Sequence, residues 1–229
     1  MTAKLKHLLP AYSVINHLSI SDSQYQELKD TVLRLQDEFK TITEANRGLV
    51  ELHSELVKQI SDSVYEINLT DSLGNLSVDS NTDNSRTDTY RKKINYSTTT
   101  SILNEHTYTE KTKLYSDNAI LFDSILSKFK GNPTRIRITK LAAGKSITPH
   151  IDYDPSYSVR IIIPIISDEH CVNLFWVKNK VESVMLKPGT AYFLNTGYKH
   201  SVVNLGTTDR YALMISVNGS DDIKDLIGN

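Results

Sequence analysis

Between Arg135 and Val217 the chain is cut into short runs, alternating in polarity or rich in β-branched residues, and closed mostly by glycine, proline or asparagine. Runs this short and this apolar predict strands rather than helices or loops. Arg135–Thr139 alternates, Ala143-Gly144 turns, and Ile147–Asp152, Val159–Ile166, Val172–Val177, Val181–Leu186, Ala191–Leu194, Ser201–Asn204 and Arg210–Val217 follow. Lys178-Asn179-Lys180 and Pro188-Gly189 are predicted turns. Pro164 cannot donate to a ladder and predicts an edge, a bend or a bulge. Many short strands at close spacing predict a mainly β fold, an antiparallel double sheet of the jelly-roll kind.

Chemistry-bearing residues fall on these strands. His150 and Asp152 are two residues apart, so a strand points both to one side. His200 lies 48 residues further on and must return through the fold to join them. Two histidines and a carboxylate are the set that holds non-haem Fe(II) on one face and leaves the other open, although Zn(II) accepts the same ligands. Arg210 follows His200 by ten residues, across a predicted turn at Asn204–Thr208. Its guanidinium suits a bidentate grip on a carboxylate.

The segments RIRITKLAAGKSITPHIDYD, VRIIIPI, LKPGTAYFLNTGYKHSVVNLG and DRYALMISV resemble the Fe(II)/2-oxoglutarate oxygenases of the aspartyl/asparaginyl β-hydroxylase type, a group that includes free-proline hydroxylases. The resemblance covers residues 133–218. It implies a double-stranded β-helix, cupin-like, with Fe(II) on His150, Asp152 and His200 and with 2-oxoglutarate and O2 as cosubstrates. It gives Arg210 the distal carboxylate of 2-oxoglutarate. It gives Arg160 a carboxylate of cosubstrate or substrate, although Ile162 stands where many members have histidine. Ser146 and Asn195 are further expected hydrogen-bonding positions for 2-oxoglutarate. The activity implied is hydroxylation of an amino acid, free or in a peptide. The animal peptidyl aspartyl hydroxylases lack the carboxylate ligand, so Asp152 keeps their peptide substrate from being carried over. Asp152 also argues against a halogenase, which replaces that ligand with a small residue. The competing expectation is a non-catalytic jelly-roll binding or scaffold protein with a helical interaction arm.

Residues 1–132 read as a helical and loop-rich part packing on a core at 133–220, the two together one structural unit. Ser21 caps a helix carrying Tyr25, Leu28, Val32, Leu33, Leu35 and Phe39 at helical spacing. A second helix is expected from Thr43, with Leu49, Leu52, Leu56, Val57 and Ile60 on one face and Lys40–Ile42 as the link. Both are expected to brace the back of a sheet. Val64–Leu69 alternates as a strand. The polar stretch within 61–116 is expected to form a lid, with residues 78–112 reaching the substrate through Arg86, Tyr90 or Arg91 and with His106 on the surface. Asp117 is expected to cap the helix NAILFDSILSKF, ended by Gly131.

A formal net charge of −1 offers no electrostatic footprint for nucleic acid or an anionic membrane. No apolar run approaches the ~20 residues of a membrane span. The single cysteine, Cys171, cannot form an internal disulfide, which points to a reducing cytoplasm. It opens the run CVNLFWV and is read as a packed strand residue. The expected partner is a small molecule or peptide, the substrate.

Overall fold

Alternation in β8 (Ser158–Ile166) separates two environments. In the computed structural model, which describes residues 5–41, 63–71, 106 and 108–218, Val159, Ile161, Ile163 and Ile165 pack into one buried cluster, whereas Ile162 belongs to another. β8 lies inside a seven-stranded sheet with β1 (Tyr12–Val14), β2 (Lys40–Thr41), β3 (Val64–Asn68), β6 (Pro133–Leu141), β11 (Tyr192–Leu194) and β13 (Arg210–Asn218). Its order is β1-β11-β8-β13-β6-β3-β2, so strands from residues 12–68 extend the sheet built by residues 133–218. Facing it is a four-stranded sheet, β10-β9-β12-β7, made of β7 (Ser146–His150), β9 (Cys171–Val177), β10 (Lys180–Met185) and β12 (Lys199–Asn204). β4 (Thr70–Asp71) and β5 (Glu110–Lys111) form a separate ribbon. All pairings are antiparallel. The fold is the predicted double-stranded β-helix.

Among the described residues, three helices lie against the outer face of the large sheet. α1 (Asp22–Arg34) starts at a capping box in which Ser21 and Gln24 satisfy each other's backbone N–H groups. α2 (Lys113–Asp117) is short, and α3 (Ala119–Leu126) buries Leu121, Phe122 and Ile125. These three, with Leu28 and Val32 of α1, meet Ile136, Ile138, Ile161, Leu213 and Ile215 of the sheet. Each fully buried side chain of this size removes enough apolar surface to stabilise the fold by about 1.5–3 kcal/mol. The predicted bracing by a helix is therefore present. The expected second helix at 43–60 lies outside the described residues, as do Arg86, Tyr90, Arg91 and nearly all of the expected lid at 78–112.

Several local expectations are corrected. Lys40–Thr41, read as a helix link, is strand β2 on β3. Two helical segments precede β6, meeting at Asn118: Thr112, whose hydroxyl accepts the Tyr115 N–H, caps α2, and the N-cap position of α3 is Asn118, not Asp117, with no side-chain cap bond. Of the edge, bend or bulge expected at Pro164, the bulge is found, inside β8 with β11 on one side and β13 on the other. It is tolerated because β11 pairs only with Arg160–Ile162 and because the β8–β13 register is irregular opposite it, the bulge that a proline requires. Cys171 is buried at the start of β9, as expected, and burial pushes its thiol pKa up, away from reactivity. Among the described residues no helix is long and apolar enough to cross a membrane.

Phe122 is fully buried between α2 and the sheet, and its ring packs on Tyr115 at 5.3 Å. Phe122→Ala is expected to lower the unfolding free energy by about 3–5 kcal/mol. Ile120→Ala, two residues away and 88% exposed, is expected to change it by under about 0.5 kcal/mol. Denaturant titration of the two variants checks the pair.

Candidate active site

β12 is the central element of the site. Its pairing with β9 sets His200 opposite Phe175, and its pairing with β7 sets His200 opposite His150. The two imidazoles are 4.3 Å apart between ring centroids, and Phe175 stacks on His200 at 6.1 Å and 22°. Asp152 lies just past the end of β7, its N–H bonded to the Thr196 carbonyl in the turn before β12 at 3.0 Å. One oxygen of Asp152 is 3.4 Å from His150 Nε2, and the other is 3.9 Å from His200 Nε2. Ligand atoms of all three residues lie within 4.8 Å of one another.

The backbone fixes both rings. His150 Nδ1 meets the Thr148 carbonyl at 2.7 Å, and His200 Nδ1 meets the Tyr198 carbonyl at 3.0 Å. A carbonyl only accepts, so each Nδ1 carries the proton and each Nε2 faces Asp152. This orientation by an outer acceptor is what metal-bound histidines use. Burial alone would lower the His150 pKa, but the Asp152 carboxylate and the Thr148 carbonyl outweigh it and the net shift is upward. Burial holds the His200 pKa down, against the pull of Asp152. Burial opposes ionisation of Asp152, yet the His150 hydrogen bond and the charges of His200, His150 and Arg160 keep it far below the ordinary carboxylate range. When His150 is protonated, its Nε2–H points at the Asp152 carboxylate 3.4 Å away.

Two arginines face the same interior. Arg160 is 3% exposed; its Nη1 donates to Ser216 Oγ at 2.6 Å and its Nη2 is 3.8 Å from Asp152. Arg210 opens β13, is 4% exposed, and keeps Nη2 buried with no hydrogen-bond partner. Among the described residues no carboxylate lies within ion-pair distance of Arg210, and burial lowers its pKa, with the Cys171 thiol the only opposing neighbour. A buried guanidinium left without an anion costs several kcal/mol. The donor set and this orphaned cation therefore fit a divalent metal and an anionic cosubstrate.

Two expected positions are corrected. Asn195 is fully buried, but its amide nitrogen donates to the carbonyls of Lys6 and Pro10 at 3.0 and 3.1 Å. Only its oxygen remains, and an acceptor cannot bind 2-oxoglutarate, whose oxygens also only accept. Ser146 is exposed at the far end of β7. Four residues of strand put it about 13 Å from His150. His106, expected on the surface, is half-buried with its ring 4.4 Å from Tyr157, which contacts Tyr153 at 5.1 Å, beside Asp152. Thr148 and Asn173 also keep side-chain oxygens buried without partners. Each stands two residues from His150 or Phe175 along its strand and so shares a face with it.

A family model for aspartyl/asparaginyl β-hydroxylase matches residues 73–219. No curated protein matches the chain. Among solved structures it is similar to a prolyl hydroxylase from Trichoplax adhaerens in complex with a hypoxia inducible factor peptide fragment, with TM-score 0.49, 11% identity, and coverage of 90% of this chain and 83% of that one. It is also similar to a prolyl-4-hydroxylase from Pseudomonas putida, with TM-score 0.49, 10% identity, and coverage of 90% and 92%. A 2OG-Fe(II) oxygenase family oxidoreductase from Burkholderia pseudomallei matches with TM-score 0.39, 13% identity, and coverage of 69% and 67%. The family match spans well over half of the sequence, and the chain belongs to the aspartyl/asparaginyl β-hydroxylase family, and thereby to the Fe(II)- and 2-oxoglutarate-dependent dioxygenases.

Proposed function

We propose that the chain hydroxylates an amino acid, free or within a peptide, using Fe(II) held by His150, Asp152 and His200 and 2-oxoglutarate anchored by Arg210. The observation that supports it most is the convergence of two backbone-oriented Nε2 atoms on one carboxylate. Bound there, Fe(II), 2-oxoglutarate and O2 supply an oxidation that inserts one oxygen atom into a C–H bond and releases succinate and CO2. His150 and His200 contribute neutral nitrogens, and Asp152 contributes the one negative charge. Arg160, between Ser216 and Asp152, steadies that carboxylate. Arg210 receives the distal carboxylate as a charge-assisted pair in a dry site. The wall of Tyr153, Tyr157 and His106 beside Asp152 is a packing surface for the substrate. Succinate release from 2-oxoglutarate, dependent on Fe(II) and screened against free amino acids and peptides, tests the reading; no turnover with any of them would favour a binding role.

His150→Ala and His200→Ala are each expected to abolish Fe(II) binding with the circular dichroism spectrum unchanged. Asp152→Ala is expected to cost orders of magnitude in turnover; near-normal turnover would remove the carboxylate from the ligand set. Arg210→Ala is expected to raise the KM for 2-oxoglutarate at least tenfold while leaving Fe(II) affinity unchanged, since truncating one partner of a buried charged pair costs about 2–5 kcal/mol. Arg210→Lys recovers part of this, because an ammonium cannot reproduce the fork.

The pH dependence follows from His150. Its pKa in the metal-free protein is raised, so a metal must displace its proton at and below that value. His200, with a lowered pKa, loses its proton at lower pH than His150 does. Metal binding is expected to release protons at and below the ordinary histidine range, the number falling toward zero as pH rises past the His150 pKa, and affinity weakens as pH drops. Calorimetry in buffers of different ionisation heats measures this release; a value that stays constant as pH rises contradicts it.

A further inference from the structure

The first residues of the described chain reach the site from outside the β-helix. Lys6 sits in a single helical turn, Leu5–His7. Its Nζ donates to the Gly197 carbonyl at 2.8 Å, and its backbone N–H points to an Asp154 carboxylate oxygen at 3.4 Å. Its own carbonyl accepts from Asn195. The His7 ring lies edge-on to Tyr198 at 5.9 Å. Asp154 is two residues beyond Asp152, and Gly197 is three before His200. One short segment thus touches the turn that carries Asp152 and the turn that leads into His200.

These turns control ligand placement directly. Tyr198 supplies the carbonyl that orients the His200 ring, and Thr196 supplies the one that accepts the Asp152 N–H. Gly197 is shaped for the contact: a Cβ there would come within 3.1 Å of Lys6 Cβ and 3.2 Å of Pro155 Cδ. Further along, Asn195 binds Pro10 and Ala11, and β1 pairs with β11. The segment is therefore fastened at both ends, with Lys6 at the end nearest the ligands.

We infer that Lys6 is a positioning residue for the metal centre, clasping the Asp152–Pro155 turn to the Asn195–Tyr198 turn so that Asp152 and His200 are held at chelating distance before metal arrives. The inference rests on the reading of His150, Asp152 and His200 as ligands. It gives residues 5–11, which precede every strand of the fold, a part in metal affinity.

The test is Mn(II) titration of the full chain, followed by the electron paramagnetic resonance of free Mn(II). Lys6→Met keeps the aliphatic stem and removes the ammonium. Lys128→Met is the matched control, because Lys128 Nζ also bonds a backbone carbonyl, that of Ser19 at 2.6 Å, away from the ligand turns. Lys6→Met is expected to weaken Mn(II) binding about tenfold, the lower end of the loss seen when an outer partner of a ligand is removed, with Lys128→Met unchanged. Gly197→Ala, which displaces Lys6, is expected to weaken it in the same direction. Wild-type affinity in Lys6→Met, or equal loss in Lys6→Met and Lys128→Met, would overturn the clasp. His150→Ala separates the two levels. If it abolishes binding while Lys6→Met does not weaken it, only the clasp fails; if it binds as wild type, the ligand assignment fails and the clasp with it.

Discussion

The register between β12 and its two neighbours is the constraint on which the rest of the site depends. His200 stands opposite both His150 and Phe175. A shift by one residue would turn every β12 side chain to the other face and separate the imidazoles. Register is held by buried partners on the same strand. Ser201 Oγ bonds the Ile147 carbonyl at 2.6 Å, and Asn204 donates to the carbonyls of Leu141, Ala142 and Thr208. Val202 packs with Leu141 and Cys171 below the histidines. Because Asn204 also closes the turn into β13, the interactions that fix His200 fix the start of the strand carrying Arg210.

Electrostatics add a second layer. The interior combines a carboxylate kept ionised by its cationic neighbours with a buried guanidinium that has no carboxylate beside it among the described residues. Arg210 stands where a dianionic cosubstrate would end. Its buried charge is unfavourable in the bare chain relative to the loaded one, so binding energy and fold stability are coupled. Glu66 and Arg137, a further buried pair 3.4 Å apart on β3 and β6, tie the N-terminal strands into the same interior.

The β-helix and the His150–Asp152 pair are legible in the sequence because both are periodic: alternation marks strand faces, and a spacing of two puts His150 and Asp152 together, whereas His200 joins them only through the family resemblance. The illegible features depend on partners distant in the chain. Asn195 reads as a polar residue near a ligand, and only the path of Lys6–Ala11 shows its amide to be spent on backbone. Pro164 reads as an edge, a bend or a bulge, and only the short β11 and the irregular β8–β13 register single out the bulge. Arg135 reads as an ordinary alternating position, yet it has φ 43° at a register irregularity, with its N–H on the Tyr108 carbonyl. That left-handed conformation is set by the bulge and not by the residue type.

In the proposed reading, His150, Asp152 and His200 would hold one metal ion while Arg210 would hold the cosubstrate. Anomalous diffraction from crystals grown anaerobically with Fe(II) and 2-oxoglutarate tests it directly. One iron peak is expected, bonded to His150 Nε2, His200 Nε2 and an Asp152 oxygen, with the distal carboxylate of 2-oxoglutarate on the Arg210 guanidinium. An iron peak away from these three atoms, or a cosubstrate carboxylate bound with Arg210 uninvolved, would contradict it.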